Sequence, residues 1–467
     1  FDMAAETRKT KIICTIGPAS SSGERLQALV DRGMNVARLN FSHGDHEGHG
    51  QVISELRRIS GEGNQPLALL QDLAGPKVRV GDLPGGSVEL EAGPEFVLTT
   101  REVEGSSSQV CVDYAGLPDE VKSGDRILLA DGAIELAVTR IAGPDIHCRV
   151  VFGGQLGSRK GVNCPSGLFG LPILSERDLS DLRFGLERGV EYVGLSFVRS
   201  ADDVRRARDE IRSCGSDARI IAKIETQAAL EHFDRILLEA DGIMIARGDL
   251  SIETPFSRVP VLQKRMIAKA NQAAKPVITA TQMLFSMVSS PRPTRAEVAD
   301  VANAIMDGSD AVMLSEETAV GQHPERAVEV MDRIARDTES GGLKVGWEQE
   351  GPYGGQSVGD REAMALAACR LAEDLDVDYI GTITRSGQMA RLAAKFRPRQ
   401  PILAASPEPG TFRRLSLIRG VIPLLLPEGL RAYEEMATAA LELARGSGWK
   451  DASFVLLSEE FVRRGVL

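Results

Sequence analysis

The sequence predicts an α/β protein: a (β/α)8 TIM barrel with a β domain inserted into it and an open α/β sheet domain behind it. Three observations predict this. Eight short β-rich runs recur over the first 320 residues, with helical patterns between most of them. One gap, between Leu73 and Tyr192, holds alternating strands where a single helix would be too short. After about Ser340 a Gly-rich stretch running to Gly359 gives way to helices that alternate with strands.

The runs Lys11–Ile16, Asn35–Phe41, Leu67–Leu73, Tyr192–Phe197, Arg219–Ile224, Gly242–Ala246, Pro276–Thr281 and Ala311–Leu314 are mostly continuous in apolar residues. Parallel strands buried on both faces read this way. Leu26, Leu29 and Val30 mark a helix after the first run. Val298, Val301, Ala302 and Ile305 mark another. Thr294 and Glu297 give that helix a capping box, and Gly308 stops it. Val88–Leu90, Phe96–Thr99, Ile127–Leu129, Ile134–Val138 and Ile146–Val151 predict a β-barrel-like insertion over residues 76–171. At the C-terminal mouth of a barrel it can serve as a lid. The barrel then takes residues 8–75 and 172–340. Residues 341–467 form the third domain, with helices over 361–375, 388–396, 411–418 and 430–444 and strands over 379–384, 402–405, 421–426 and 453–457.

Composition narrows the function. Of 467 residues, 43% are hydrophobic and 26% charged, and the net charge is −11. This balance argues against nucleic acid and membrane as partners, while local basic residues can still hold phosphorylated substrates. No apolar run approaches the roughly 20 residues that cross a bilayer. The six cysteines are scattered and contain no CxxC, which reads as reduced thiols in a cytoplasmic protein.

Catalytic groups of such a barrel stand at the C-terminal ends of its strands. Those ends supply Arg38, Asn40 and Ser42; Asp72; Ser196 and Arg199; Lys223 and Glu225; Arg247 and Asp249; Thr281 and Gln282; and Ser315, Glu316 and Glu317. Strands five and six are neighbours, so Glu225 and Asp249 can face one cation. Hard carboxylate oxygens suit Mg²⁺, with Mn²⁺ as a substitute. Arg38 and Lys223 add positive charge where a phosphoryl group could sit. The plainer reading of Lys223, Glu225 and Asp249 is a salt-bridge network at the rim.

Several longer motifs follow one another in order: Lys9-Thr10-Lys11 through Ile16-Gly17-Pro18-Ala19-Ser20, Met34 to Gly44, Lys223-Ile224-Glu225, Ala246-Arg247-Gly248-Asp249-Leu250, Ala280-Thr281-Gln282-Met283-Leu284, and Pro291 to Glu297. Through them the sequence resembles pyruvate kinase, closely from about Arg8 to Ala327 and more weakly beyond. The resemblance implies transfer of the phosphoryl group of phosphoenolpyruvate to ADP, giving pyruvate and ATP. It implies that Lys223 neutralises the transferring group and the enolate, and that Glu225 and Asp249 hold Mg²⁺. Ser196, Arg247, Gly248, Asp249 and Thr281 would receive the substrate, Thr281 also placing a proton donor. Arg38, His43, Arg79, Asp131 and Lys160 would contact the nucleotide. A homotetramer is implied as well.

The chain departs from the family's usual pattern in ways that alter these expectations. Most members need K⁺. Here Asn40, Ser42 and Asp72 remain of its shell, but Leu73 removes a hydroxyl and Lys77 brings an ammonium where a carboxylate is usual. Lys77 is expected to act as an internal cation, so that K⁺ is not required; the bland reading is a solvated hinge lysine. Glu316 stands where a small residue is usual and is expected to point outward. Gly48 replaces an aromatic in the loop after His43. His43, His46 and His49 match no standard zinc spacing. Thr384, Arg385, Ser386 and Gly387 form a strand–helix turn that the resemblance identifies as an effector phosphate loop, for a sugar phosphate or a nucleotide. Met389 replaces a hydroxyl there, so an ordinary turn is an equal reading. Two other functions compete: an aldol or carboxyl enzyme on the same metal pair, disfavoured by the nucleotide-facing Arg38, Arg79 and Lys160, and a non-catalytic metabolite-binding paralogue, disfavoured by the intact Lys223, Glu225, Asp249 and Thr281.

Overall fold

The computed structural model of the chain describes residues 8–165, 170–341, 359–430, 432–449, 452–458 and 462–466. Eight parallel strands close a barrel: β1 (Lys11–Ile16), β2 (Val36–Asn40), β3 (Ala68–Asp72), β4 (Tyr192–Leu195), β5 (Arg219–Ile224), β6 (Gly242–Ala246), β7 (Val277–Ala280) and β8 (Ala311–Leu314). Each pairs with its sequence neighbours, and β8 pairs with β1. The apolar runs are continuous because these strands are covered inside and out; all six residues of β1 are buried.

The surrounding helices begin where their caps say they should. Ser175, Ser200 and Thr294 each make a capping box with the residue three positions on. The helix over Glu176–Glu187 lies hard against β3: a Cβ on Gly185 would fall 2.1 Å from Gln71 Oε1. Only a glycine lets that helix approach so closely.

The insertion leaves the barrel after β3. Gly75 sits at φ +71° with the Ser196 Cβ 2.8 Å from where its own Cβ would be, so a side chain there is excluded twice over. Seven strands follow in the spatial order 78–79, 161–163, 126–129, 134–142, 145–152, 95–99 and 109–111, with a two-stranded sheet of 154–157 and 87–90 beside them. The sheet curls until its outer strands meet. Val80 bridges Val112, and the Gly81 N–H donates to the Cys111 carbonyl at 2.8 Å. Phe96, Leu98, Ile127, Leu136 and Ile146 fill its interior at 0% exposure, a core separate from that of the barrel.

The C-terminal domain is a five-stranded sheet, in the order 421–425, 402–406, 379–383, 453–457 and 462–466, with only the last pair antiparallel. The Gly-rich stretch before Gly359 lies largely outside the described residues. This domain docks under the barrel, at the N-terminal ends of the strands. Lys11 Nζ donates to the Val421 carbonyl at 2.7 Å, Gly420 N–H to the Lys9 carbonyl at 2.9 Å, and Arg397 pairs with Asp310 at 3.0 Å. No helix among the described residues is long and apolar enough to cross a membrane.

Candidate active site

The C-terminal ends of β2 to β7 bring a compact charge cluster together. Asp72, on β3, is 1% exposed and lies between two cations. Arg38 Nε donates to its Oδ2 at 2.7 Å, and Lys223 Nζ stands 3.2 Å from its Oδ1. Arg38 is steadied further by the Thr15 hydroxyl at 2.9 Å. Lys223 also donates to Ser196 Oγ at 2.6 Å and lies 3.5 Å from Glu225 Oε2. Burial pushes the Asp72 carboxyl upward, yet Lys223 and Arg38 more than reverse this and leave it below the ordinary carboxylate value. Burial likewise opposes the Lys223 charge, and Asp72 and Glu225 together lift its ammonium above the usual lysine value.

Glu225 is the exception to this pairing. It is fully buried, and its Oε1 accepts the Phe197 N–H at 2.8 Å. Its Oε2 has no hydrogen-bond partner. Burial pushes the carboxyl up to about 7, against the pull of Lys223 and with the help of the Asp249 charge. Asp249 opens the helix Arg247–Glu253 that follows β6 and is half-buried. A buried carboxylate oxygen without a donor, facing a second carboxylate, fits a hard divalent cation that supplies the missing positive charge. Among the described residues no cluster of three or more His, Cys, Asp or Glu side chains forms a protein-only metal cage. The two carboxylates therefore suit an ion that keeps substrate or water oxygens.

Thr281, just past β7, has φ +71°, and Gln282 follows at +53°. A β-branched residue in that region is strained, and such strain collects at functional positions. The conformation turns Thr281 Oγ1 so that it accepts the Gly248 N–H at 2.8 Å while donating to the Ala280 carbonyl at 2.7 Å. Glu317 supports this rim from beneath, accepting the Leu284 N–H at 3.0 Å and the Ser315 N–H at 2.7 Å. Glu316 beside it is exposed.

Arg247 and Lys77 take partners that the sequence did not disclose. The Arg247 guanidinium takes Asp300 in a two-pronged pair, both contacts at 2.7 Å, and donates to the Thr281 carbonyl at 2.8 Å. It braces the Thr281 turn. Sequence reading missed Asp300 because it sits on a helix 53 positions later with no local signal. Lys77 leaves the barrel with the lid. Its Nζ lies 3.7 Å from Asp131, and its stem covers Gly161. The cations beside Asp72 are instead Arg38 and Lys223. Beyond the turn at Gly75, Lys77 lines the hinge between the insertion and the barrel, with Phe197 and Thr226 on the barrel side.

Of the remaining positions, Asn40 Oδ1 accepts the Ser42 N–H at 3.2 Å, and the buried Leu73 bonds through its backbone, its N–H donating to the Gly194 carbonyl at 3.1 Å and its carbonyl accepting Ser196 Oγ at 2.7 Å. Arg79, Asp131 and Lys160 are exposed on the lid. Asn163 of the lid reaches Glu253 of the barrel at 3.4 Å, a hinge contact that the sequence did not disclose. The three histidines diverge: His43 is exposed, His46 pairs with Asp181 at 2.6 Å, and His49 stacks on Phe41 at 4.2 Å. In the Thr384–Gly387 turn the Gly387 N–H donates to Thr384 Oγ1 at 2.9 Å, and neighbours outside the turn hold Arg385, its guanidinium pairing with Glu408 at 2.9 Å and its carbonyl accepting the Thr411 hydroxyl at 2.7 Å.

Comparison with known proteins agrees with this architecture. The family model described as pyruvate kinase, barrel domain, matches residues 7–328, and that described as pyruvate kinase, alpha/beta domain, matches residues 362–460. Pyruvate kinase 2 of Synechocystis is 45% identical over 97% of this chain and 76% of its own. The pyruvate kinase of Thermococcus litoralis is 43% identical over 98% and 96%. A crystal structure of a pyruvate kinase from Cryptosporidium parvum superposes with a TM-score of 0.93 at 38% identity, covering 100% of this chain and 97% of that one. With both domains matched in order and relatives aligned along nearly the whole length, this chain belongs to the pyruvate kinase family and is a phosphotransferase.

Proposed function

We propose that the chain transfers the phosphoryl group of phosphoenolpyruvate to ADP at the cluster formed by Arg38, Asp72, Ser196, Lys223, Glu225, Asp249 and Thr281. The observation that carries this reading is the Lys223 ammonium 3.5 Å from a buried Glu225 oxygen that accepts no hydrogen bond. Phosphoryl transfer asks a protein for positioning and charge compensation more than for covalent work. Lys223 meets the negative charge of the transferring group and then of the enolate. Arg38, held by Asp72, faces the same phosphoryl oxygens. Glu225 and Asp249 are the residues that would hold Mg²⁺ or Mn²⁺, which when bound adds charge neutralisation at the phosphoryl and enolate oxygens. The carboxylate of the substrate is received near Gly248, Asp249 and Thr281, with Ser196 positioning the Lys223 ammonium. Thr281 orders the donor that protonates the enolate. Arg247 acts as a positioning residue for Thr281. Arg79, Asp131 and Lys160 close over ADP from the lid, and His43 lines the barrel side.

Independence from K⁺ is part of the proposal. Leu73 puts no side-chain oxygen beside Asp72, and Arg38 and Lys223 already compensate that carboxylate. Lys77, paired with Asp131, supplies a further fixed charge at the hinge that can move inward as the lid closes. Cytoplasmic location, a homotetramer and a sugar-phosphate or nucleotide effector at the Thr384–Gly387 turn are carried from the family.

Pyruvate formation from phosphoenolpyruvate and ADP, coupled to NADH oxidation, tests the assignment. Lys223→Met should lower kcat by about 10³-fold or more, the scale of losing one preorganised charge at a developing anion. Turnover within tenfold of the parent would remove Lys223 from the mechanism.

A further inference from the structure

We propose that His46, paired with Asp181, is a positioning residue for the nucleotide: it fixes the loop 41–45 that presents His43, and so sets the affinity for ADP without touching it. This role rests on His43 contacting the nucleotide. It goes further by giving work to His46 and His49, which the catalytic reading leaves unused.

The loop joins β2 to the helix His46–Glu62, and its residues 42–45 are exposed. Two imidazoles from the first turn of that helix hold it. The His49 ring stacks on the buried Phe41 with centroids 4.2 Å apart, and its Nε2 donates to the His43 carbonyl at 2.9 Å. A carbonyl only accepts, so Nε2 carries the proton there. Gly44, at φ +75°, lets the backbone pass close by: a Cβ on it would lie 3.3 Å from His49 Nε2. His46 faces another element. Its ring stacks on Phe184 at 4.3 Å, and its Nε2 donates to Asp181 Oδ1 at 2.6 Å. Arg177 Nη2 adds a bond to the Phe41 carbonyl at 3.2 Å.

Asp181 explains why the residue is a histidine. Its carboxylate is buried, and its Oδ2 accepts no hydrogen bond and lies 3.6 Å from Arg177 Nε. A buried carboxylate with so little compensation holds strongly to an N–H donor. A phenyl ring would stack on Phe184 as well, so packing alone does not ask for imidazole. Asp181 is itself fixed, since its carbonyl accepts Gln71 Nε2 at 2.5 Å, on the strand β3 that also carries Asp72. His46 therefore ties a solvent-exposed loop to the barrel framework.

Placement gives the contact its consequence. Arg177, Asp181 and Phe184 all lie on the helix Glu176–Glu187. Asp178 of that helix accepts the Gly75 N–H at 3.0 Å, where the chain enters the lid. One rigid element thus holds the loop with His43 and the root of the lid with Arg79, Asp131 and Lys160. Freeing His46 lets one wall of the nucleotide site drift against the other, and a misplacement of about 1 Å can cost roughly 100-fold where geometry is demanded. The Gly248–Thr281 contact that receives phosphoenolpyruvate is built from other bonds and keeps its shape.

The test is steady-state pyruvate formation by the full chain, with ADP and phosphoenolpyruvate varied separately. His46→Ala and His46→Phe should each raise the KM for ADP about tenfold or more, while the KM for phosphoenolpyruvate and the kcat at saturating ADP stay within about twofold. His46→Gln, which returns a donor without the ring, should recover most of the affinity. The Phe and Gln variants remove donor and ring one at a time, so they decide the matter if the Ala variant does not fold. His43→Ala is the reference. It should raise the same KM, and adding His46→Ala to it should change that value by less than about twofold, because the loop then has no imidazole left to present. An equal rise in both KM values, full additivity with His43→Ala, or a Gln variant as weak as the Phe variant would make His46 a folding residue only and overturn the proposal. A silent His46→Ala beside an effective His43→Ala would also overturn it and leave the nucleotide site standing; a silent His43→Ala would remove both.

Discussion

Asp72→Asn is the most exacting test of the catalytic cluster, because the substitution keeps shape and removes only charge. Asp72 lies 2.7 Å from Arg38 and 3.2 Å from Lys223, and those side chains are 11% and 12% exposed. At an effective dielectric near 20, each contact is worth about 5–6 kcal/mol of gross Coulomb energy. Removing the carboxylate from water costs several kcal/mol in return. The depressed pKa of Asp72 shows which side wins: attraction outweighs burial. The variant loses that surplus and leaves two cations facing each other, a situation that costs about 3–5 kcal/mol. By the usual conversion this lowers the melting temperature of the barrel by roughly 6–20 °C. Scanning calorimetry at pH 7 reads it directly. The sign with pH is fixed too. A carboxyl with a depressed folded-state pKa contributes above its unfolded value, about 3.9, and the contribution fades as pH falls through the folded value. The gap between parent and variant should therefore close in acid. Adding Lys223→Met to Asp72→Asn should recover part of the loss, since one cation then remains in place of two. A melting shift under about 2 °C, or strict additivity in the double variant, would refute this account of the cluster.

Two further outcomes follow from particular residues. Burial lowers the Lys11 pKa from 10.5 to about 7, so between these values the unfolded chain binds more protons and stability rises with pH. Melting curves at pH 7 and pH 9.5 should show the parent gaining on Lys11→Met as pH rises, and a constant difference would contradict it. With tetramethylammonium as the monovalent cation, the parent should keep its rate, and K⁺ should raise it less than about twofold; Leu73→Thr, which returns a hydroxyl beside Asp72, should make K⁺ stimulatory, and strong activation of the parent would end the idea.

The barrel was legible in the sequence because buried parallel strands leave unbroken apolar runs that stop at charged residues. That is why Lys223, Glu225 and Asp249 could be placed at one mouth before any contact was seen. The lid was legible only in part. Its strands 78–79, 109–111, 154–157 and 161–163 are two to four residues long and mixed in polarity, too short to show an alternation. The final strand, 462–466, carries two arginines and gave no signal. Long-range side-chain choices were the least legible. Arg247 takes Asp300 from another helix, and Lys77 follows the backbone turn at Gly75 into the lid. Spacing along the chain orients neither.

The closure of the lid on itself also bears on how the chain reaches this structure. β3 and β4 must pair, Leu70 beside Tyr192, although the whole insertion separates them in sequence. Bringing such distant segments together is slow while the intervening chain is loose. The insertion has its own core, and its folding sets Val162 beside Val78, so its two ends leave side by side. Once that has happened, β4 is delivered to β3 across a short path. The insertion thus serves the barrel before any substrate is present: by holding residues 78 and 162 side by side, it shortens the loop that the β3–β4 pairing has to close.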